Sequence, residues 1–103
     1  MKPLNFFLIG GMPKQGERFD QLLKCRNVVV ERIVTASYRE HVAYDQEQDE
    51  WIMLMQGTAR LDLDGKQVSL TTGDSLFIPA HTPHRIVWTS EEPPCLWLAV
   101  HIH

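Results

Sequence analysis

Apolar positions along this 103-residue chain recur in short runs, either continuous or alternating, and helical spacing is nearly absent. Gly, Pro, Asp and Asn interrupt the runs at roughly ten-residue intervals, the punctuation of an all-β chain. The first run, Leu4 to Ile9, predicts a strand, followed by a loop from Gly10 to Gly16. Phe19 to Lys24 reads equally as a strand or as a short helical turn. Val28 to Ala36 is rich in β-branched residues and predicts a strand. Tyr38 to Gln48 is polar and irregular. Trp51 to Met55 is apolar at both parities, which predicts a strand covered on both faces. The outer set of that strand, Trp51, Met53 and Met55, is then a covered sheet face or a subunit interface.

The second half is more regular. Thr58 to Leu63 alternates, which puts Ala59, Leu61 and Leu63 on one face. Asp64-Gly65 is a strong short hairpin signal, and Lys66 to Thr71 returns with Val68 and Leu70 inward. Gly73-Asp74 turns into a strand over Leu76 to Pro79. His84 to Thr89 and Cys95 to Ile102 complete the set, separated by Pro93-Pro94. Eight or so strands in a chain of this length fit a jelly roll or barrel. Alternation places Glu50 inward beside Ile52 and Leu54, and gives His84 an interior face shared with Ile86 and Trp88.

Composition narrows the function classes. One domain is expected at this length. Hydrophobic residues are 44% and charged residues 22%, ordinary for a soluble globular protein. The net charge of −3 supplies no basic footprint, so neither nucleic acid nor an anionic membrane is an expected partner. The N-terminal apolar run is too short for a signal peptide and lacks a small-residue cleavage site. No run approaches the roughly 18 apolar residues that span a bilayer. Cys25 and Cys95 form no CxxC pattern and read as a pair of reduced, half-buried thiols. The expected location is cytoplasmic.

The stretch Gly73 to His84 carries the clearest chemistry. It contains a turn, a short buried strand and a Pro-bounded loop that delivers a histidine onto the next strand. Gly73, Pro79 and His84 are spaced as a Gly, five residues, Pro, four residues and His. Upstream, Glu50 and Gly57 are separated by six residues, and residues 58 to 72 lie between the two groups. These spacings resemble the second motif and the end of the first motif of the cupins. The chain is similar to small single-domain members of that family, the conserved-barrel type, over about Tyr44 to Ile102. The resemblance implies an all-β cupin jelly roll, or double-stranded β-helix barrel, formed as one domain over residues 1–103. Residues 1–27 would then be an extension of strand and loop.

Many cupins carry a divalent metal on a His-x-His pair, a Glu and a second-motif His. Here the resemblance implies Glu50 and His84 as two ligands, while no His-x-His precedes Glu50. With three intervening residues Tyr44 and Gln46 take the histidine positions; with four, Ala43 and Asp45 do. His41 lies too far upstream by either count. Asp45 and Gln46 would complete a site with Glu50 and His84 for Fe(II), Mn(II), Ni(II) or Zn(II), with affinity lowered by the loss of two imidazoles. Tyr44, Ile52, Ile86, Trp88, His81 and His101 are the expected pocket residues. For His81, between Pro79 and Pro83, a solvent-facing ring is the competing reading. Glu50 has a competing reading as a carboxylate paired with Arg32 or Arg85, and His84 as a core histidine satisfied by backbone.

Three function classes follow: a small-molecule binding barrel with or without a weakly held metal; a metal-dependent oxygenase, isomerase or lyase; and a module whose exposed strand pairs with a partner. Leu4 to Ile9 would pair across an interface, which predicts a homodimer.

Overall fold

The computed structural model describes residues 1–14, 16–36 and 43–103 and contains eight strands: β1 (Gly16–Cys25), β2 (Val28–Ala36), β3 (Asp49–Gln56), β4 (Ala59–Leu63), β5 (Lys66–Leu70), β6 (Ser75–Ile78), β7 (His84–Thr89) and β8 (Cys95–Ile102). Two-residue periodicity and β-branched content account for most of them. Asp64 and Gly65 both take positive φ, 49° and 85°, the mirror-image turn geometry that matches strand twist, and they fold β5 back on β4. Phe19 to Lys24, ambiguous in sequence, lies within β1 and pairs antiparallel with β2.

The strands form a five-stranded sheet in the order β1-β2-β8-β3-β6 and a three-stranded sheet in the order β5-β4-β7. Their inward residues make one core: Ile33 from β2, Ile52 and Leu54 from β3, Ala59 and Leu61 from β4, Ile86 from β7, and Trp97 and Ala99 from β8, among others. Register places Ile52 opposite Ala99 and Leu54 opposite Trp97, so large and small side chains alternate across the ladder. The buried Trp97 indole donates to Thr35 Oγ1 at 3.1 Å, which satisfies its N–H inside the core. Gly57, at φ 97°, turns β3 toward β4 where a Cβ would lie 2.8 Å from Ser90 Oγ and 2.9 Å from Cys95 Sγ. That position needs glycine for space as well as for dihedral angle.

Two expectations change here. Leu4 to Ile9 is not a strand. Asn5 Oδ1 accepts from the Phe7 amide and Asn5 O from the Leu8 amide, so a turn interrupts the apolar run. Carbonyls of this segment are taken by arginines instead of a ladder: Arg32 donates to Phe6 O and Arg18 to Ile9 O and Gly11 O. Cys25 is exposed and Cys95 buried, both free thiols, so the half-buried pair is not found. The outer face of β3, with Trp51, Met53 and Met55, is half-buried. Among the described residues no helix is long and apolar enough to cross a membrane.

Candidate functional site

A cavity of about 80 Å³ opens between the two sheets. Its walls are apolar, built by Phe19, Ile33, Ile52, Leu61, Ile78, Ile86 and Trp97; one end is polar, with Glu17, Tyr44, Gln46, Glu50, His84 and His101. Apolar walls with a few convergent polar groups are the usual make-up of a small-ligand site.

The polar end is assembled by backbone. Glu50 on β3 is opposite His101 on β8, so strand pairing alone brings these two side chains onto one face. His84 arrives from the other sheet. It is bridged to Tyr44 through Tyr44 N–H to His84 O at 2.7 Å and His84 N–H to Tyr44 O at 2.9 Å. One turn earlier, the His81 amide donates to Gln46 O at 2.8 Å. The segment 44–46 is therefore held extended against the Pro-bounded loop, and alternation sends Tyr44 and Gln46 inward and Asp45 outward.

Glu50 is 5% exposed and sits at the centre. Gln46 Nε2 donates to its Oε1 at 2.8 Å, His84 Nε2 lies 3.8 Å from the same oxygen, and His101 Nε2 lies 3.6 Å from Oε2. His84 Nδ1 is 2.9 Å from Thr82 O, so backbone fixes one ring nitrogen and leaves the other facing Glu50. His101 Nδ1 meets Gln48 Nε2 at 3.2 Å, and its Nε2 is 2.6 Å from Glu31 Oε1, in a direction that forms no aligned hydrogen bond. The Tyr44 ring stacks on the His84 ring at 5.7 Å, and its hydroxyl donates to Glu17 Oε1 at 3.3 Å. Burial pushes the Glu17 carboxyl up to about 6; the Tyr44 hydroxyl opposes that rise and the Glu50 charge adds to it.

Of the expected pocket residues, Tyr44, Ile52, Ile86 and His101 line the cavity. Trp88 does not: it is 45% exposed on the outer surface, with Arg60 stacked over its ring at 5.7 Å. The cause is a bulge. Arg60 pairs with Trp88 but Leu61 pairs with Ile86, so Val87 is the extra residue and parity reverses beyond it, turning Thr89 inward instead. His81 is also outside, at φ 60°, with Nδ1 3.4 Å from Asp45 Oδ1 on the surface. Neither Asp45 nor His81 reaches the cavity for this reason. The arginines considered for Glu50 are engaged elsewhere, Arg32 with Asp20 and Arg85 with Asp62. His41 lies outside the described residues. Phe19 was missed in sequence because its segment, Phe19 to Lys24, was ambiguous, and Glu17 because it lay just before that segment. The inward parity of β1, Glu17-x-Phe19, was the available signal.

Among the described residues, the donor set at this end does not fit a divalent cation. Gln46 turns an N–H donor, not a carbonyl, toward Glu50. His84 and His101 approach different oxygens of Glu50. Among the described residues no group of three or more His, Cys, Asp or Glu side chains is placed to hold a metal ion.

An eight-stranded double-sheet barrel with a polar-ended cavity defines the class of a small jelly-roll domain. The chain belongs to the cupin family: the family's domain model matches residues 34–101. Among solved structures it is 33% identical to a Ralstonia eutropha protein named "putative mannose-6-phosphate isomerase", with TM-score 0.86 and coverage of 99% of this chain and 98% of that one. A cupin superfamily protein from Desulfitobacterium hafniense is 23% identical, with TM-score 0.78 and coverage of 98% and 90%. The Fe(II) form of HppE is 15% identical, with TM-score 0.74 and coverage of 84% and 50%, a likeness of fold alone. No curated protein matches the chain.

Proposed function

We propose that this cupin binds a small molecule in the cavity between its sheets, with Glu50, flanked by His84, His101 and Gln46, as the polar anchor. The observation that supports this most is the contrast within one cavity: apolar walls from both sheets and a single polar end held by backbone bonds. Such a site recognises a ligand by one polar group and encloses the rest by hydrophobic burial.

The name of the Ralstonia relative suggests a second reading, isomerisation of a sugar phosphate. A phosphate calls for Arg, Lys or a helix N-terminus. No Arg or Lys is among the described residues lining the cavity. The binding reading is therefore preferred. Chemical-shift titration of the ¹⁵N-labelled protein with isobutanol, cyclohexanol and benzyl alcohol tests it. Saturable shifts confined to the cavity lining are expected, and the cavity-filling variants Ile86→Phe and Ile52→Phe should abolish them. A panel without one saturable response overturns the proposal.

A homodimer is proposed on narrower ground, the exposure of Leu4, Phe7 and Leu8 together on the N-terminal segment. Sedimentation of the wild type against Leu8→Asp tests it. A wild-type monomer overturns it.

A further inference from the structure

Among the described residues, charge around the cavity is one-sided. Two carboxylates, Glu17 and Glu50, line it, and a third, Glu31, stands behind His101. Four of the described arginines are engaged away from it. Arg18 and Arg32 leave the opposite face of their strands and are held by Asp20 and N-terminal carbonyls. Arg60 covers Trp88 and Arg85 pairs with Asp62, both on the outside of the second sheet. Only the imidazoles of His84 and His101 remain to offset the carboxylates within the described lining.

One further observation points to a guest. Three of the lining residues are aromatic: Phe19, Tyr44 and Trp97. Aromatic rings with carboxylates receive cations, through the ring quadrupole and by direct pairing. An anionic ligand would meet repulsion at the same place.

We infer that the cavity takes a small organic cation, an ammonium group on a short branched apolar body, with the ammonium at Glu17 and Glu50 and the body against Ile52, Ile86 and Trp97. The inference rests on the reading of the cavity as a small-molecule site. It narrows that reading to one charge class. Glu17 acts here as the selectivity group at the open side of the polar end, and its elevated pKa reflects a carboxylate that burial leaves short of compensation.

Three probes of matched shape test it: isobutylammonium, isobutanol and isobutyrate, titrated at pH 7.5 into the wild type and Glu17→Gln while the Trp97 indole resonance is followed. Isobutylammonium should bind about ten-fold tighter than isobutanol, and isobutyrate should not saturate. Glu17→Gln should reduce the preference for the ammonium over isobutanol about ten-fold, a split that general loss of structure would not produce. Glu50→Gln, measured alongside, should weaken the ammonium as well. Isobutyrate or isobutanol binding as tightly as the ammonium, or indifference to Glu17→Gln, overturns the cation inference and leaves the small-molecule site standing. Silence from all three probes together with the neutral panel above removes both.

Discussion

The two ends of the barrel interior share the same strands and differ in almost everything else. At one end Leu54, Ala59, Leu70 and Cys95 are fully or nearly fully buried, and the Cys95 thiol donates to Thr58 O at 3.2 Å. At the other, the same β3 and β8 present Glu50 and His101, and a cavity remains open. The packed end gains dispersion and hydrophobic burial from every atom. The open end forgoes part of that gain and buries ionisable groups, which costs stability unless each is compensated. The difference shows where the fold is held together and where it is spent on recognition.

Truncation at the packed end should have the largest effect. Leu54→Ala removes a fully buried side chain from a site with little freedom to collapse, and is expected to cost about 2–5 kcal/mol in denaturant unfolding. A cost under about 1 kcal/mol would mean the packed end is not the stabilising one.

At the open end the sign should reverse. The folded-state pKa of Glu17, about 6, is above its ordinary 4.5. Between those values the folded state holds more proton than the unfolded chain, so this group's contribution declines as pH rises through the interval. Above pH 6 the carboxylate is ionised in both states and the folded state bears the full penalty; below 4.5 it bears none. Glu17→Gln should therefore stabilise by about 2 kcal/mol at pH 8 and have no effect at pH 4, read from unfolding midpoints at the two pH values. Equal effects at both would remove burial of the charge as the cause.

Divalent metals sharpen the same contrast. The donor set around Glu50 predicts that Mn(II), Ni(II) or Zn(II) leave the melting temperature of the wild type unchanged. A saturable rise that disappears in His84→Ala would restore the metal-binding reading of the open end.

The smallest effect is expected outside both ends. Trp88→Ala removes an exposed ring stacked under Arg60, and should change stability by less than about 1 kcal/mol and isobutanol binding not at all. Lost binding would place Trp88 in the site despite the bulge.

How far the chain could be read in advance differs by element. The Asp64-Gly65 hairpin was legible because its signal is local: two adjacent residues that tolerate positive φ between alternating runs. The strands from Val28 onward and the pairing of Glu50 with Ile52 and Leu54 on one face were legible because a two-residue period is a property of the backbone. The barrel itself was legible through the spacing of Glu50, Gly57, Gly73, Pro79 and His84. Within the site, Tyr44, Gln46, Glu50, His84 and His101 were all among the candidates. What failed was parity and partnership. Nothing near Val87 announces the bulge that turns Trp88 outward, because a bulge is set by the register of β4 against β7. Leu4 to Ile9 was apolar enough for a strand, but Asn5 turned it and Arg18 and Arg32, distant in sequence, took its carbonyls.

The sequence by itself therefore determined the class of fold, the turns and the set of polar residues available to the cavity, since each depends on short-range conformational preference and spacing. Only the tertiary structure decided which of those residues share a space. It turned Asp45 away from Gln46, set two imidazoles on different oxygens of one carboxylate, and drew Glu17 in from a strand that the sequence left ambiguous. The physical reason is that ligation and charge compensation depend on distances of a few ångströms between strands far apart in the chain, and those distances exist only once the two sheets have closed on each other.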